Sequence, residues 1–178
     1  IPAIEARTGA RFIYVPVLLG GVFKATGNRS PMEAFAGIPA KLAYEALETR
    51  RFVARHRLGR FRSNPHFPVN TLAIMRGAEA ARELDVFEPY IEAVFAAMWE
   101  DGAKMDDPAV IATSLAAAGL PARPLMSLTQ DQTVKDRLMT NTAAAVARGV
   151  FGSPSFFVGE DLFFGKDRLG EVEEALTA

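Results

Sequence analysis

In GVFGSPSFFVGEDLFFGKDRL, residues 149–169, Phe156–Val158 and Leu162–Phe164 have the composition of two short strands, and Gly159-Glu160-Asp161 between them is a turn. A hairpin is the expectation. Pro154 stands at the mouth of the first strand, where it removes a ladder donor; proline is tolerated there mainly because strand starts, edges and bulges do not need that donor. An ordinary trans-proline opening a strand satisfies this pattern. The other possibility is that the proline serves something besides pairing.

Working outward, Leu169, Val172 and Leu176 place one apolar stripe on a final helix after the hairpin. Before it, Thr129 with Gln132 matches a capping box that opens a helix running through Val134, Leu138 and Val146 to Gly149. Residues 71–119 are helical by pattern. Within them Tyr90, Val94 and Met98 form one stripe and Ile91, Phe95 and Trp99 the next, a broad face that must bury against other helices or another subunit. Asp107-Pro108 reads as an N-cap followed by proline at the first helical position, and Gly119 as a stop. Leu42, Leu47, Phe52 and Val53 predict an amphipathic helix from Ala40 to about Phe61.

At the N-terminal side, Ile1–Arg7 looks like the end of a helix stopping at Gly9, RFIYVPV (residues 11–17) like a strand near an edge, and LLGGVFKATGNRSP (residues 18–31) like a glycine-containing loop. The order is helix end, strand, long helical block, helix, hairpin, helix. With the block removed and one strand added before Ile1, this is the order of a thioredoxin fold. The expectation is therefore α/β, thioredoxin-like, with residues 1–31 and 129–178 forming that domain, 32–128 a helical insertion, and a first strand preceding Ile1.

The chain has 178 residues, 49% hydrophobic, enough to bury a core, and its 20 Lys+Arg against 21 Asp+Glu leave no cationic excess for a polyanion. Nucleic acid is not expected as a partner. No apolar run approaches the roughly 18 residues of a membrane span, and no leader pattern is visible, so a soluble, cytoplasmic protein without a membrane partner is expected. Cysteine is absent, which removes disulfides, thiolate nucleophiles and cysteine metal sites from these residues. His56 and His66 have no ligand set around them, so no metal is expected. GGVFKATG lacks the G-K-[ST] ending of a phosphate loop.

Three segments carry a resemblance. GVFGSPSFFVGEDLFFGKDRL, PVLLGGVFKATGN (residues 16–28) and NPHFPVNTL (residues 64–72) are similar, in order, to segments of the 2-hydroxychromene-2-carboxylate isomerases, which belong with the kappa-class glutathione transferases to the DsbA-like branch of thioredoxin folds. The resemblance implies a cis Pro154, which would present the backbone N–H and C=O of Ser153 as an antiparallel hook for a bound peptide. It implies glutathione as cofactor. Phe164, Gly165, Lys166 and Asp167 would then hold its γ-glutamyl end, with Asp167 near the ammonium and backbone N–H groups on the carboxylate.

On the same grounds Lys24 would sit beside a substrate carboxylate and Asn28 would orient the bound molecules, with Lys41 and Phe67 as further substrate contacts. For an isolated Asp167 a helix cap, and for Lys24 a solvated charge, are the alternatives. The family's serine, which hydrogen-bonds the glutathione sulfur, would precede Ile1, so no catalytic residue is assigned. Ser153 and Lys166 depart from the commoner aliphatic and neutral polar residues of the family.

What the resemblance implies is a homodimeric, glutathione-dependent isomerase of an aromatic carboxylate in aromatic-compound catabolism, interconverting 2-hydroxychromene-2-carboxylate and trans-o-hydroxybenzylidenepyruvate. Three alternatives stay open. They are a kappa-type transferase that releases the conjugate, a dithiol oxidoreductase with Cys-x-x-Cys before Ile1, and a non-catalytic ligand-binding dimer.

Overall fold

A computed structural model describes residues 1–178. The chain forms two compact units, residues 1–28 with 139–178, and residues 29–138. In chain order the helices are α1 (Pro2–Thr8), α2 (Leu19–Thr26), α3 (Pro31–Ala34), α4 (Pro39–Arg55), α5 (Leu72–Glu83), α6 (Phe87–Trp99), α7 (Pro108–Ala117), α8 (Ala122–Leu128) and α9 (Gln132–Ala147). Strands β1 (Ser155–Val158) and β2 (Asp161–Phe164), a 3-10 turn (Lys166–Arg168) and α10 (Leu169–Thr177) follow. The second boundary between the units falls inside α9.

The first unit is organised by the antiparallel hairpin, whose register runs from Ser155 opposite Phe164 to Val158 opposite Asp161. That leaves Gly159-Glu160 as a two-residue loop, and Gly159 takes the positive φ of 59° that such loops demand. Against β1 pack α10, through the buried Val172, and Phe12, whose ring meets Phe156 edge-on at 6.3 Å. Arg7 of α1 forms a two-bond ion pair with Glu173 of α10 at 2.5 and 2.7 Å. As expected, α1 ends at Gly9, in the left-handed conformation.

Two expectations for this unit change. Residues 11–17 are not a strand: the sheet contains only β1 and β2, and this run pairs with neither. Strand propensity without a ladder partner does not make a strand, and Ile13 is accordingly 85% exposed. The expected loop at 18–31 instead contains α2. Gly21 is the reason: a Cβ there would stand 3.1 Å from Thr142 Cγ2 of α9, so the glycine marks a close helix approach rather than a turn. Val22 is fully buried beside it, and Thr142 Oγ1 accepts the Leu18 N–H at 2.9 Å.

The second unit is a helical cluster whose core joins Ile74 and Ala78 of α5, Phe87, Tyr90 and Met98 of α6, Ile111 and Leu115 of α7, Leu125 of α8 and Val134 of α9. Burying one side chain of this size contributes about 1.5 to 3 kcal/mol, so the shared core is what holds α5–α8 and the start of α9 together. The Tyr90 and Met98 stripe is inside, while Phe95 of the neighbouring stripe is 60% exposed. Asp107 caps α7 as expected, accepting the Ala109 N–H at 2.9 Å, and Gly119 is left-handed at φ 74°.

The cap of α9 is not the expected box. Thr129 is buried and donates to the Met126 carbonyl at 2.7 Å, ending α8, and Asp131 Oδ1 accepts the Thr133 N–H at 2.8 Å. A carboxylate one residue before the helix displaced a hydroxyl three residues before it. That bond holds the Asp131 carboxyl below its usual range. Helix α4 ends at Arg55, earlier than expected, because Arg57 adopts a left-handed φ of 53° that a helix cannot continue through. No residue of α4 is buried.

Candidate functional site

The hairpin base brings together two segments that lie about a dozen residues apart in sequence. Beyond the last ladder pair, Ser155 with Phe164, the Gly165 N–H donates to the Pro154 carbonyl at 2.9 Å, which fastens the Phe164–Asp167 corner directly to the Ser-Pro dipeptide. The Ser153–Pro154 peptide is cis, as is Phe67–Pro68. Ser153 is exposed, and its own backbone N–H and C=O make no hydrogen bond within the protein. An unengaged donor and acceptor on an exposed strand extension can accept an extended peptide as an added antiparallel segment.

Gly165 carries φ 98° and ψ 152°, a conformation that excludes a side chain and leaves its flank open. Asp167 follows in the 3-10 turn leading into α10, and Lys166 Nζ lies 3.0 Å from both of its carboxylate oxygens. Asp167 is exposed, so the pair is screened by water and free to exchange partners. The corner thus offers an acid, a base and exposed backbone within a few residues.

Phe164 is 42% exposed and packs on Phe151 at 4.5 Å. Beneath it Gly152 is buried; a Cβ there would be 2.8 Å from the Phe164 ring. Sequence reasoning passed over Gly152 and Phe151, although glycine directly before Ser-Pro was the available signal. Asn28 follows α2 and donates its side-chain amide to the Phe151 carbonyl at 2.8 Å. Asn28 is therefore tied to the chain two residues before Ser153. Lys24 lies in the last turn of α2, exposed, on a helix rather than in the expected loop.

Lys41 and Phe67 belong to the second unit. Lys41 stands over the Phe35 ring at 4.4 Å and 3.8 Å from Glu45, and Phe67, half exposed, lies 5.7 Å from the Trp99 ring. A surface cleft in this unit, about 360 Å³, is lined by Asn70, Leu72, Ala73, Arg76, Asp106 and Gln130. None of the sequence-selected residues lines it, and its one carboxylate is engaged by Lys104 at 2.9 Å. Size alone does not make it the site. Nowhere do three His, Asp or Glu side chains converge as metal ligands would.

The model of the DsbA-like thioredoxin domain matches residues 1–177. The chain belongs to the DsbA-like thioredoxin family. Within that family, this DsbA-like chain is 25% identical over 178 residues to the 2-hydroxychromene-2-carboxylate isomerase of Sphingobium xenophagum, covering 99% of the chain and 88% of that protein. It is 30% identical over 87 residues to the enzyme of the same name from Pseudomonas putida, covering 49% of the chain and 43% of that protein. The matched stretch thus spans less than half the length of the Pseudomonas relative. A solved structure of selenomethionine-labelled 2-hydroxychromene-2-carboxylate isomerase superposes with a TM-score of 0.83 at 24% identity, over 98% of the chain and 84% of that structure. At that identity the superposition establishes the fold. The DsbA-like architecture here is mostly helical, with a small two-stranded sheet.

Proposed function

We infer that the protein is an isomerase of a bicyclic aromatic carboxylate, of the kind its relatives' name describes, and that it depends on glutathione. One observation carries the reading: Ser153, with an unengaged backbone donor and acceptor, stands next to a corner fastened to it by the Gly165–Pro154 hydrogen bond. A tripeptide needs both features at once, a strand-like edge for its backbone and a charged corner for its γ-glutamyl end.

The residues fit such a ligand. Asp167 receives the ammonium in exchange for Lys166, the freed Lys166 meets the α-carboxylate, and the Ser153 backbone pairs with the cysteinyl residue. Bound glutathione supplies the thiolate nucleophile whose reversible addition lets a conjugated double bond rotate. Lys24 stabilises the negative charge of the substrate carboxylate, and Asn28 holds the Phe151 carbonyl and so the segment entering the hook. Phe164 covers the backbone of the corner, Lys41 and Phe67 are assigned as further substrate contacts, and the protein works as a homodimer.

The test is a spectrophotometric assay of the purified protein with 2-hydroxychromene-2-carboxylate, with and without glutathione. Reversible conversion that requires glutathione and leaves it unconsumed is expected. A stable glutathione adduct accumulating in its place makes the protein a transferase.

A further inference from the structure

The stretch RRFVARHRLGRFR, residues 50–62, contains six arginines and His56 with no acidic residue among them, in a chain of net charge -1. Every one of the six is exposed. Arg51 pairs with Glu48 and Arg60 with Glu100, whereas the side chains of Arg50, Arg55, Arg57 and Arg62 have no partner in the protein. Arg55 is explained by its place in the last turn of α4, where a cation faces unsatisfied carbonyls. That reason does not reach Arg57, Arg60 and Arg62, which lie beyond the helix. Like charges gathered at one place repel, so a partner that neutralises them is the economical explanation.

The chemistry of that partner can be narrowed. None of the six arginines is buried, so what they offer is open surface, which suits an extended anion rather than an enclosed small one. The partner is an extended, multivalent anion. Phe52 lies tilted against His56 at 4.2 Å and Phe61 stacks on Trp99 at 6.0 Å, and both phenyl rings are half-buried, so neither phenylalanine of the stretch is an open platform for the bases of a single-stranded nucleic acid. Leu58, by contrast, is 43% exposed between Arg57 and Arg60. An exposed apolar side chain flanked by cations matches the boundary of an anionic bilayer, with guanidinium groups on headgroup phosphates and the leucine directed to the acyl chains.

We propose that residues 50–62 dock the protein on anionic phospholipid surfaces. Docking is attachment without passage, since no helix is long and apolar enough to cross a membrane. It differs from the expectation of no membrane partner, and it is independent of the glutathione reading.

The experiment is co-sedimentation of the full chain with vesicles of phosphatidylcholine alone or mixed with phosphatidylglycerol, at low and high salt. Binding to the anionic vesicles should exceed that to neutral ones by about tenfold and fall as salt is raised. The Arg55→Gln, Arg57→Gln, Arg60→Gln triple variant should lose that excess. Leu58→Ser should weaken binding while keeping its salt dependence, and Arg123→Gln, an exposed arginine elsewhere in the unit, should bind as the parent does. None of these side chains is in the core, so circular dichroism of every variant should match the parent. Equal binding to neutral vesicles, retention of binding by the triple variant, or capture of an oligonucleotide without vesicle binding would each overturn the proposal.

Discussion

Asp167 holds only an exposed ion pair with Lys166, so under the proposed glutathione reading its removal subtracts from binding and hardly from folding. Asp167→Ala should weaken glutathione by about 1.5 to 3 kcal/mol, measured by calorimetry, with an unchanged denaturation midpoint. Unchanged affinity would take the corner out of the site. Lys24→Ala should instead raise the KM for the carboxylate substrate and leave glutathione affinity intact; equal losses for both would contradict the division of roles. Gly152→Ala puts a methyl group 2.8 Å from the Phe164 ring. It should destabilise the protein by about 1 to 3 kcal/mol in urea titrations. The hairpin, the Ser-Pro junction and the acid at position 167 were legible as residues, because turn glycines and proline act through local geometry. Gly152 was not, because its reason is a ring arriving from β2.

At the scale of elements, α1, α7 and the hairpin follow from their own caps and turns, and the sequence shows them. Helix α2 does not follow from its own residues: two glycines read as a loop until Thr142 Cγ2 of α9 is found 3.1 Å from where a Cβ on Gly21 would stand. The run at 11–17 errs the other way, with strand composition and no ladder. Caps are separable by mutation. Asp131→Ala should lower the thermal midpoint more than Gln132→Ala, since Asp131 and not the Thr129 and Gln132 pair caps α9; the reverse order would restore the capping box. Asn64 is buried and donates to the Met98 carbonyl at 2.9 Å and the Ala103 carbonyl at 2.8 Å, joining the end of α6 to the segment before α7. Asn64→Ala removes the side-chain donor from both carbonyls, of which Ala103 keeps the Met105 N–H at 3.0 Å, and should cost about 1 to 3 kcal/mol in the same titration.

For the whole molecule, Tyr90 and Glu173 are two of the groups through which stability depends on pH. Burial pushes the Tyr90 phenol far above its usual value, while its hydroxyl donates to the Ile74 carbonyl at 2.8 Å. A raised folded pKa means that stability is intact below the unfolded value of about 10 and declines as pH rises beyond it. Tyr90→Phe should flatten that alkaline decline; a decline that survives the substitution would assign it elsewhere. Glu173 is held below the usual carboxylate range by Arg7, so its contribution is present above the unfolded range of about 4.3 and is lost as pH falls through the folded one. The order of elements, together with three family-like segments, made the DsbA-like fold legible. The boundary inside α9 was not legible, because one continuous helix contributes to two cores.

The most direct measurement is an amide NMR titration of the labelled protein with glutathione. Shifts concentrated at Ser153 and at Gly165–Asp167, saturating together, are the expected result. Saturable binding that leaves those amides unmoved, or no binding at millimolar glutathione, would contradict it.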